Sequence, residues 1–195
     1  MPSAGYDPTK YRPRINYGYD ATTKNVNQVL NNGIYTSFIW GYNQQFPIAK
    51  ISGAQNNQTF YTSFEDETSN VSGTRRTGRQ SFSATYTVAL PSAGTYKLSY
   101  WSSSGGGSWQ FNETTISANT PIGGAGVLLD DVRVFPAGAQ MTTYTYDPGI
   151  GVTSITDPNS LTTFYDYDSF GRLIVIRDDK WNILKTFSYN YFNGQ

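Results

Sequence analysis

The 195-residue chain contains no cysteine and no histidine. The first absence removes disulfides, thiolate metal sites and thiol nucleophiles, and the second removes every histidine-based triad and metal cluster. Catalysis would have to rest on carboxylates, tyrosine, lysine or serine alone, and no catalytic residue is assigned. Charge is scarce as well. Only 14% of residues are charged and the formal net charge is zero, so there is no electrostatic footprint for nucleic acid or an anionic membrane. No apolar run approaches the roughly 20 residues of a membrane-spanning helix, so no membrane insertion is expected. The opening MPSAGYDPTKYRPRINYGYD lacks the apolar stretch of a signal peptide; an exported chain would carry its signal on a longer precursor.

What fills the chain instead is aromatic and small polar. Aromatics make up 16% of residues, with 16 tyrosines, among abundant Thr, Ser, Asn and Gly. Aromatic and β-branched side chains suit a pleated, half-buried surface, so an all-β protein is expected. Many Tyr and Asn with little charge also describe an extracellular or cell-surface protein.

Three regions separate on pattern. Residues 1–54 carry the strand candidates INYGYD, GIYTSFIWGYN and FPIAKISGA. Between them KNVNQVLNN places only Val26, Val29 and Leu30 at helical spacing, and reads as strand and loop. Residues 55–137 hold short strands at the spacing of a sandwich. QTFYTSFED, RQSFSATYTVAL, TYKLSYWSS, WQFNETTIS and GGAGVLLDDVRVFP are separated by polar or Gly-rich loops. Residues 138–195 repeat: Tyr144 recurs as Tyr165, Tyr146 as Tyr167, Asp147 as Asp168 and Asp157 as Asp178, each 21 positions on. A fixed period in this range marks stacked supersecondary units. The two-residue spacing of these tyrosines puts them on one strand face, where cross-strand aromatic ladders can form. Asp147 and Asp168, flanking turns, would accept local backbone amides.

Four aromatics of the middle region, Tyr100, Trp101, Trp109 and Phe111, are candidates for stacking on sugar rings. Alternation sends either Tyr100 or Trp101 inward, and Trp109, just after Gly105-Gly106-Gly107, is the best placed for exposure. The triple glycine is a hairpin connection, since no Lys-Ser/Thr follows it as in a phosphate loop. Arg75, Arg76 and Arg79, the only basic cluster, read as a solvated loop. Glycoside hydrolysis needs two carboxylates facing one cleft; Glu65, Asp66, Glu67, Glu113, Asp130 and Asp131 are available, and their spacing singles out no pair.

The segment YDSFGRLIVIRDDKWNIL (167–184) resembles the tyrosine–aspartate (YD) repeats of Rhs-type proteins, and YTYDPGIGVTSITDPNSLTTFYDYD (144–168) resembles the repeat before it. IWGYNQQFPIAKISGA resembles a segment of YD-repeat proteins from Bacteroidetes-like bacteria, and YNYFNGQ resembles how such chains end. Two departures, DPGIG in place of a Gly-Arg turn and Trp181 in place of Gly, predict altered local turns. The resemblance implies a continuous antiparallel sheet, spiralling in longer family members. The middle region is similar to galactose-binding-like jelly-roll sandwiches, including carbohydrate-binding modules, through FED, TGRQSF, GTYKLSYW and LLDDVRVFP. That similarity implies a structural calcium held by Glu65 and Asp130, with backbone carbonyls completing its shell. Asp130 and Asp131, being adjacent, would point to opposite strand faces.

The expected architecture is therefore a YD-repeat sheet with an inserted jelly-roll-like β-sandwich. The leading expectation is a non-catalytic scaffold carrying a ligand-binding sandwich, with carbohydrate as its partner. The alternatives are a homo-oligomer or filament built through exposed sheet edges, and a carboxylate-dependent glycan hydrolase.

Overall fold

The structure, a computed structural model, describes residues 14–190. Expectations for the stretch before Arg14 and for the ending beyond Asn190 lie outside the described residues.

The first hairpins are β1 (Ile15–Tyr19), β2 (Val26–Asn31), β3 (Ile34–Gly41) and β4 (Phe46–Ser52). The KNVNQVLNN stretch thus contributes a strand and its loops. The last five strands are β13 (Gln140–Asp147), β14 (Gly151–Thr156), β15 (Thr162–Tyr167), β16 (Leu173–Arg177) and β17 (Ile183–Thr186). They join the first four in one nine-stranded sheet, ordered β1-β2-β3-β4-β13-β14-β15-β16-β17. Every neighbouring pair is antiparallel. β4 and β13 are hydrogen-bonded neighbours, with Met141 opposite Ile51. All that lies between them in sequence is an excursion from a sheet that closes up behind it.

Period-two alternation explains how the two faces of this sheet differ. Along β13, Met141, Thr143 and Thr145 are buried while Thr142, Tyr144 and Tyr146 are half-buried. The buried face continues as a pad of small hydroxyl residues paired across strands. The Thr145 and Ser154 hydroxyls lie 2.6 Å apart, and those of Thr156 and Thr162 3.1 Å apart. Hydroxyls satisfy one another across a ladder, so the β13–β15 part of this face can be covered with its hydroxyls paired, whereas the buried Ser37 hydroxyl, opposite Ile51, has no partner among the described residues.

On the other face the repeat tyrosines act through their hydroxyls. Tyr146 donates to the Pro47 carbonyl, Tyr167 to Val152 and Tyr189 to Leu173, each at 2.8 Å. The expected cross-strand aromatic contact is present at Tyr146, whose ring stacks on Phe46 of neighbouring β4 at 4.8 Å, and the three hydroxyl bonds add a fastening to the neighbouring strand. The turn aspartates behave as their chemistry dictates. Asp157, Asp168 and Asp178 each accept the amides two and four residues on, at 2.8–3.0 Å. Hydrogen bonds from the Arg172 side chain hold the Asp168 carboxyl below its ordinary value, and the Asn182 side chain does the same for Asp178. The DPGI turn shares their closing bond, the Ile150 amide on the Asp147 carbonyl, but places its positive φ one residue earlier, at Gly149 (+92°).

The excursion begins with a single 3-10 turn (Asn56–Gln58) and builds β5 (Phe60–Thr62), β6 (Val71–Ser72), β7 (Ser81–Phe82), β8 (Tyr86–Val88), β9 (Tyr96–Ser104), β10 (Gln110–Ile116), β11 (Thr120–Ile122) and β12 (Val127–Phe135). The larger layer runs β10-β9-β12-β7-β6 with β5 also on β12, and a two-stranded β11-β8 ladder forms the other. Val88 and Ile122 of that ladder share one core with Phe64, Phe82, Leu98, Leu129, Val132 and Val134.

β12 is the pivot. Its register against β9 slips between Asp130 and Arg133, and Asp131 takes a φ of +52°. Such a bulge inserts one residue and resets the alternation. Leu129 before it and Val132 and Val134 after it therefore all face the sandwich core. Arg133 and Phe135 face the nine-stranded sheet instead. A second core crosses between the two bodies, with Ile51 and Met141 from the sheet packed with Tyr61 and Phe135 from the sandwich.

Candidate functional site

The loop from Thr74 to Gln80, reading TRRTGRQ, leaves the sandwich toward the repeat sheet and is clamped at both ends by carboxylates. Asp130 accepts the amides of Arg76 and Thr77, both at 2.8 Å, the Thr77 hydroxyl at 3.2 Å and the Asp131 amide at 2.8 Å. Glu65 accepts the Arg79 amide at 2.7 Å, the Gln80 amide at 3.3 Å and the Arg79 side chain at 3.2 Å. Gly78 passes so close that a Cβ there would lie 2.1 Å from the Glu65 carboxylate, and its φ is +61°. Only glycine serves both conditions. Burial raises both carboxyls above their ordinary values, Asp130 the more strongly, and the loop amides offset only part of the rise.

The two carboxylates expected to hold calcium are thus brought to one loop, but the loop turns N–H groups toward them. Calcium takes six to eight oxygen ligands. Every acceptor oxygen here is met by donors, and no group of three or more acids is placed to hold a metal ion among the described residues. The residues present do not fit a calcium shell in this arrangement. We expect chelation with EGTA to leave the melting temperature within about 1 °C of its value in calcium. A fall of about 2–4 °C, which is what 1 kcal/mol produces in a chain of this size, would show that the loop rearranges around the ion.

Arg76 corrects the expectation of a solvated basic loop. Arg75 and Arg79 are exposed, but Arg76 is 7% exposed. Its guanidinium lies 4.3 Å from the Trp101 ring centroid and 5.2 Å from that of Phe164, and it pairs with Asp179 in the β16–β17 turn. A planar, weakly hydrated cation can be buried this way because it stacks and pairs at once. The bulge corrects the second expectation, that Asp130 and Asp131 point to opposite faces. Both are buried outside the hydrophobic core, Asp130 on the loop and Asp131 on Arg133.

The aromatic candidates disperse. Tyr100 packs on the sandwich core. Trp101, opposite Phe111 on β10, lies under Arg76. Trp109 is half-buried beside the glycine loop. The structure does not gather the three into one surface.

It does form a cleft of about 420 Å³ between the loop 73–78 and the repeat sheet, where Thr153, Phe164, Tyr165, Asp166 and Trp181 line the far wall. Trp181 is the residue that sequence reasoning flagged as a departure without giving it a role. It has a φ of +67°, a conformation that costs an ordinary side chain about 1–2 kcal/mol. Its ring stacks on Phe164 at 4.4 Å and 10° between planes, yet it remains 54% exposed.

A second hollow, of about 630 Å³, contains Asp157, Asp178 and Asp179. Asp157 and Asp178 are committed to their turns, while Asp179 accepts the Thr162 amide at 3.1 Å and holds Arg76.

The architecture defines a class: an all-β protein whose antiparallel sheet, built partly of tyrosine–aspartate hairpins, carries a second β body between two adjacent strands. Within it, a family model described as RHS Repeat matches residues 151–180, the stretch from β14 into the turn after β16. The C-terminal region therefore carries an RHS (YD) repeat. A search of curated proteins finds no match.

Proposed function

We propose that the protein is a non-catalytic extracellular or cell-surface scaffold whose repeat sheet presents a carbohydrate-binding sandwich. The proposal includes kinship of the repeats with those of Bacteroidetes-like bacteria and of the sandwich with galactose-binding-like modules. The observation that carries it is the way the inserted body is fixed: a shared core, the Arg133 network and the Arg76–Asp179 pair hold it to the sheet. A rigid mount is what a displayed binding module requires. The RHS repeat supports a surface location, since such repeats are usual in extracellular or cell-surface proteins. The non-catalytic reading is supported by the carboxylates. Those raised by burial, Glu65 and Asp130, are enclosed by loop amides, and Asp178 is held low by its turn. A general acid needs a carboxyl both raised and within reach of substrate.

A glycan array followed by calorimetry, with and without calcium, tests this reading, and a polysaccharide panel assayed for reducing ends tests its non-catalytic half. Retention on at least one glycan and no release of reducing ends is expected. No binding to any glycan removes the carbohydrate part, and released sugar removes the other.

A second reading, assembly through sheet edges, is favoured by β17, whose four residues are all exposed, Ile183 and Leu184 among them. Nine antiparallel strands make β1 and β17 run in the same direction. A head-to-tail contact would therefore join them as a parallel pair, whereas a two-fold contact of β17 with its own copy keeps the antiparallel pattern and closes as a dimer. Sedimentation should show a concentration-dependent dimer on this reading; a monomer at all concentrations sinks it.

A further inference from the structure

We propose that Trp181 and Arg76 form a binding subsite for a neutral pyranose in the cleft between the loop 73–78 and the repeat sheet. The inference rests on the carbohydrate-binding reading and moves its site away from Tyr100, Trp101 and Trp109. Three related turns supply the first argument. Asp157, Asp168 and Asp178 each open a turn whose residue three places on has a positive φ: Ser160 at +65°, Gly171 at +73° and Trp181 at +67°. All three close with the same bond, the amide of that residue donating to the carbonyl of its aspartate at 2.9–3.0 Å. Glycine meets this backbone demand without strain and tryptophan meets it badly, so the turn does not account for the indole. Burial does not account for it either, since more than half of Trp181 faces water. Strain kept at an exposed aromatic in a cleft wall points to binding.

The second argument is independent and comes from the opposite wall. Arg76, 93% buried by its exposure of 7%, lines the same cleft. One terminal nitrogen is taken by Asp179, but its buried Nε–H meets no acceptor among the described residues. A buried guanidinium N–H without a partner is costly, and because Nε is closed to solvent it gains an oxygen only when the guanidinium turns toward a ligand in the cleft.

A sugar ring answers both needs. Its C–H face lies on an indole, and its hydroxyl and ring oxygens accept from a guanidinium. The cleft volume falls within the range of small-molecule sites, about 300–1,000 Å³. Charge leaves no cation cluster among the described residues to hold a phosphate or uronate: Asp166 is paired with Arg177 at 2.8 Å and Arg76 with Asp179, and the Arg75 guanidinium is spent on the Gly73 and Gly78 carbonyls. A neutral hexose or pentose oligomer is the ligand that fits.

Trp181→Gly is the decisive variant because it installs the residue that the equivalent turn at Gly171 already uses. We expect its melting temperature to equal or exceed that of the parent, while affinity for the best neutral glycan from the array falls at least tenfold. Trp181→Tyr should recover part of the loss, and Trp109→Ala should lose less than twofold. In the parent, titration with that glycan should shift the Trp181 indole N–H resonance. Binding unchanged in Trp181→Gly but lost in Trp109→Ala overturns the subsite and leaves the carbohydrate reading standing. A parent chain that binds no glycan overturns both. Tighter binding of uronate oligomers than of neutral ones overturns the ligand class.

Discussion

Arg133→Ala should lower the stability of the fold by about 3–5 kcal/mol, the cost of breaking a buried ion pair by removing one partner. Arg133 is 1% exposed and Asp131 2% exposed. Arg133 Nε lies 3.4 Å from Asp131, one terminal nitrogen donates to the Thr143 hydroxyl at 3.0 Å, and the other to the Asp157 carbonyl at 3.2 Å. Thr143 in turn donates to Asp131 at 3.2 Å. The guanidinium therefore ties β12 of the sandwich to β13 and to the β14–β15 turn of the repeat sheet. Alanine would leave the Asp131 carboxylate without its cation in a site almost closed to solvent. Urea unfolding monitored by tryptophan fluorescence measures the loss. Because the residue bridges two bodies, the variant should also unfold over a broader transition, with a lower apparent m-value, as the bodies uncouple. The double variant Asp131→Leu with Arg133→Met removes both charges while keeping apolar volume, and should be less damaging than Arg133→Ala alone. A single variant within 1 kcal/mol of the parent would show that the network carries no weight.

The features legible in the sequence are those set by local period. Alternation in MTTYTYD fixed which of Thr143, Tyr144, Thr145 and Tyr146 share a face, and the 21-residue repeat fixed where the turns fall. The RHS repeat at residues 151–180 lies where that repeat is clearest. What was not legible depends on contacts between distant segments. Nothing in LLDDVRVFP announces a bulge, since the extra residue is defined only by pairing with β9; yet that bulge decides which way Asp131 and Arg133 point. Arg76 sits in a polar, Gly-rich loop and reads as solvated until Trp101 from β9 and Phe164 from β15 close on it. The tyrosine ladder had the right face and, at Tyr146 on Phe46, the right contact; the bonds from the Tyr146 and Tyr167 hydroxyls to carbonyls of the neighbouring strand depend on pairing that the period alone does not give. Trp181 was visible as an anomaly, and only its φ and its place in the cleft wall gave that anomaly meaning.

Phe64→Ala should cost about 3–5 kcal/mol, the range for removing a buried aromatic ring. Phe64 is 1% exposed, stacked on Phe82 at 5.0 Å and set edge-on to Tyr86 at 5.2 Å, in the core that also holds Val88 and Leu129. Its backbone adds a second requirement. A φ of +62° turns the chain at the end of β5, with the Phe64 amide donating to the Thr62 hydroxyl at 2.9 Å and its carbonyl accepting the Gln80 side chain at 2.6 Å. Left-handed backbone costs an L-residue about 1–2 kcal/mol, and alanine would keep that cost while losing the ring that offsets it. Phe64→Gly loses the same ring but relieves the backbone. It should therefore be at least as stable as Phe64→Ala, reversing the usual order of these two residues. Thermal and urea unfolding of the pair measure this directly, and a glycine variant clearly weaker than the alanine one would refute the backbone argument. The effect should also reach the cleft. Phe64 precedes Glu65, whose carboxylate holds the Arg79 and Gln80 amides, so losing the ring loosens one end of the loop that carries Arg76. Phe64→Ala should therefore weaken glycan binding even at temperatures where the chain is still folded, whereas Trp181→Gly should weaken it with no loss of stability.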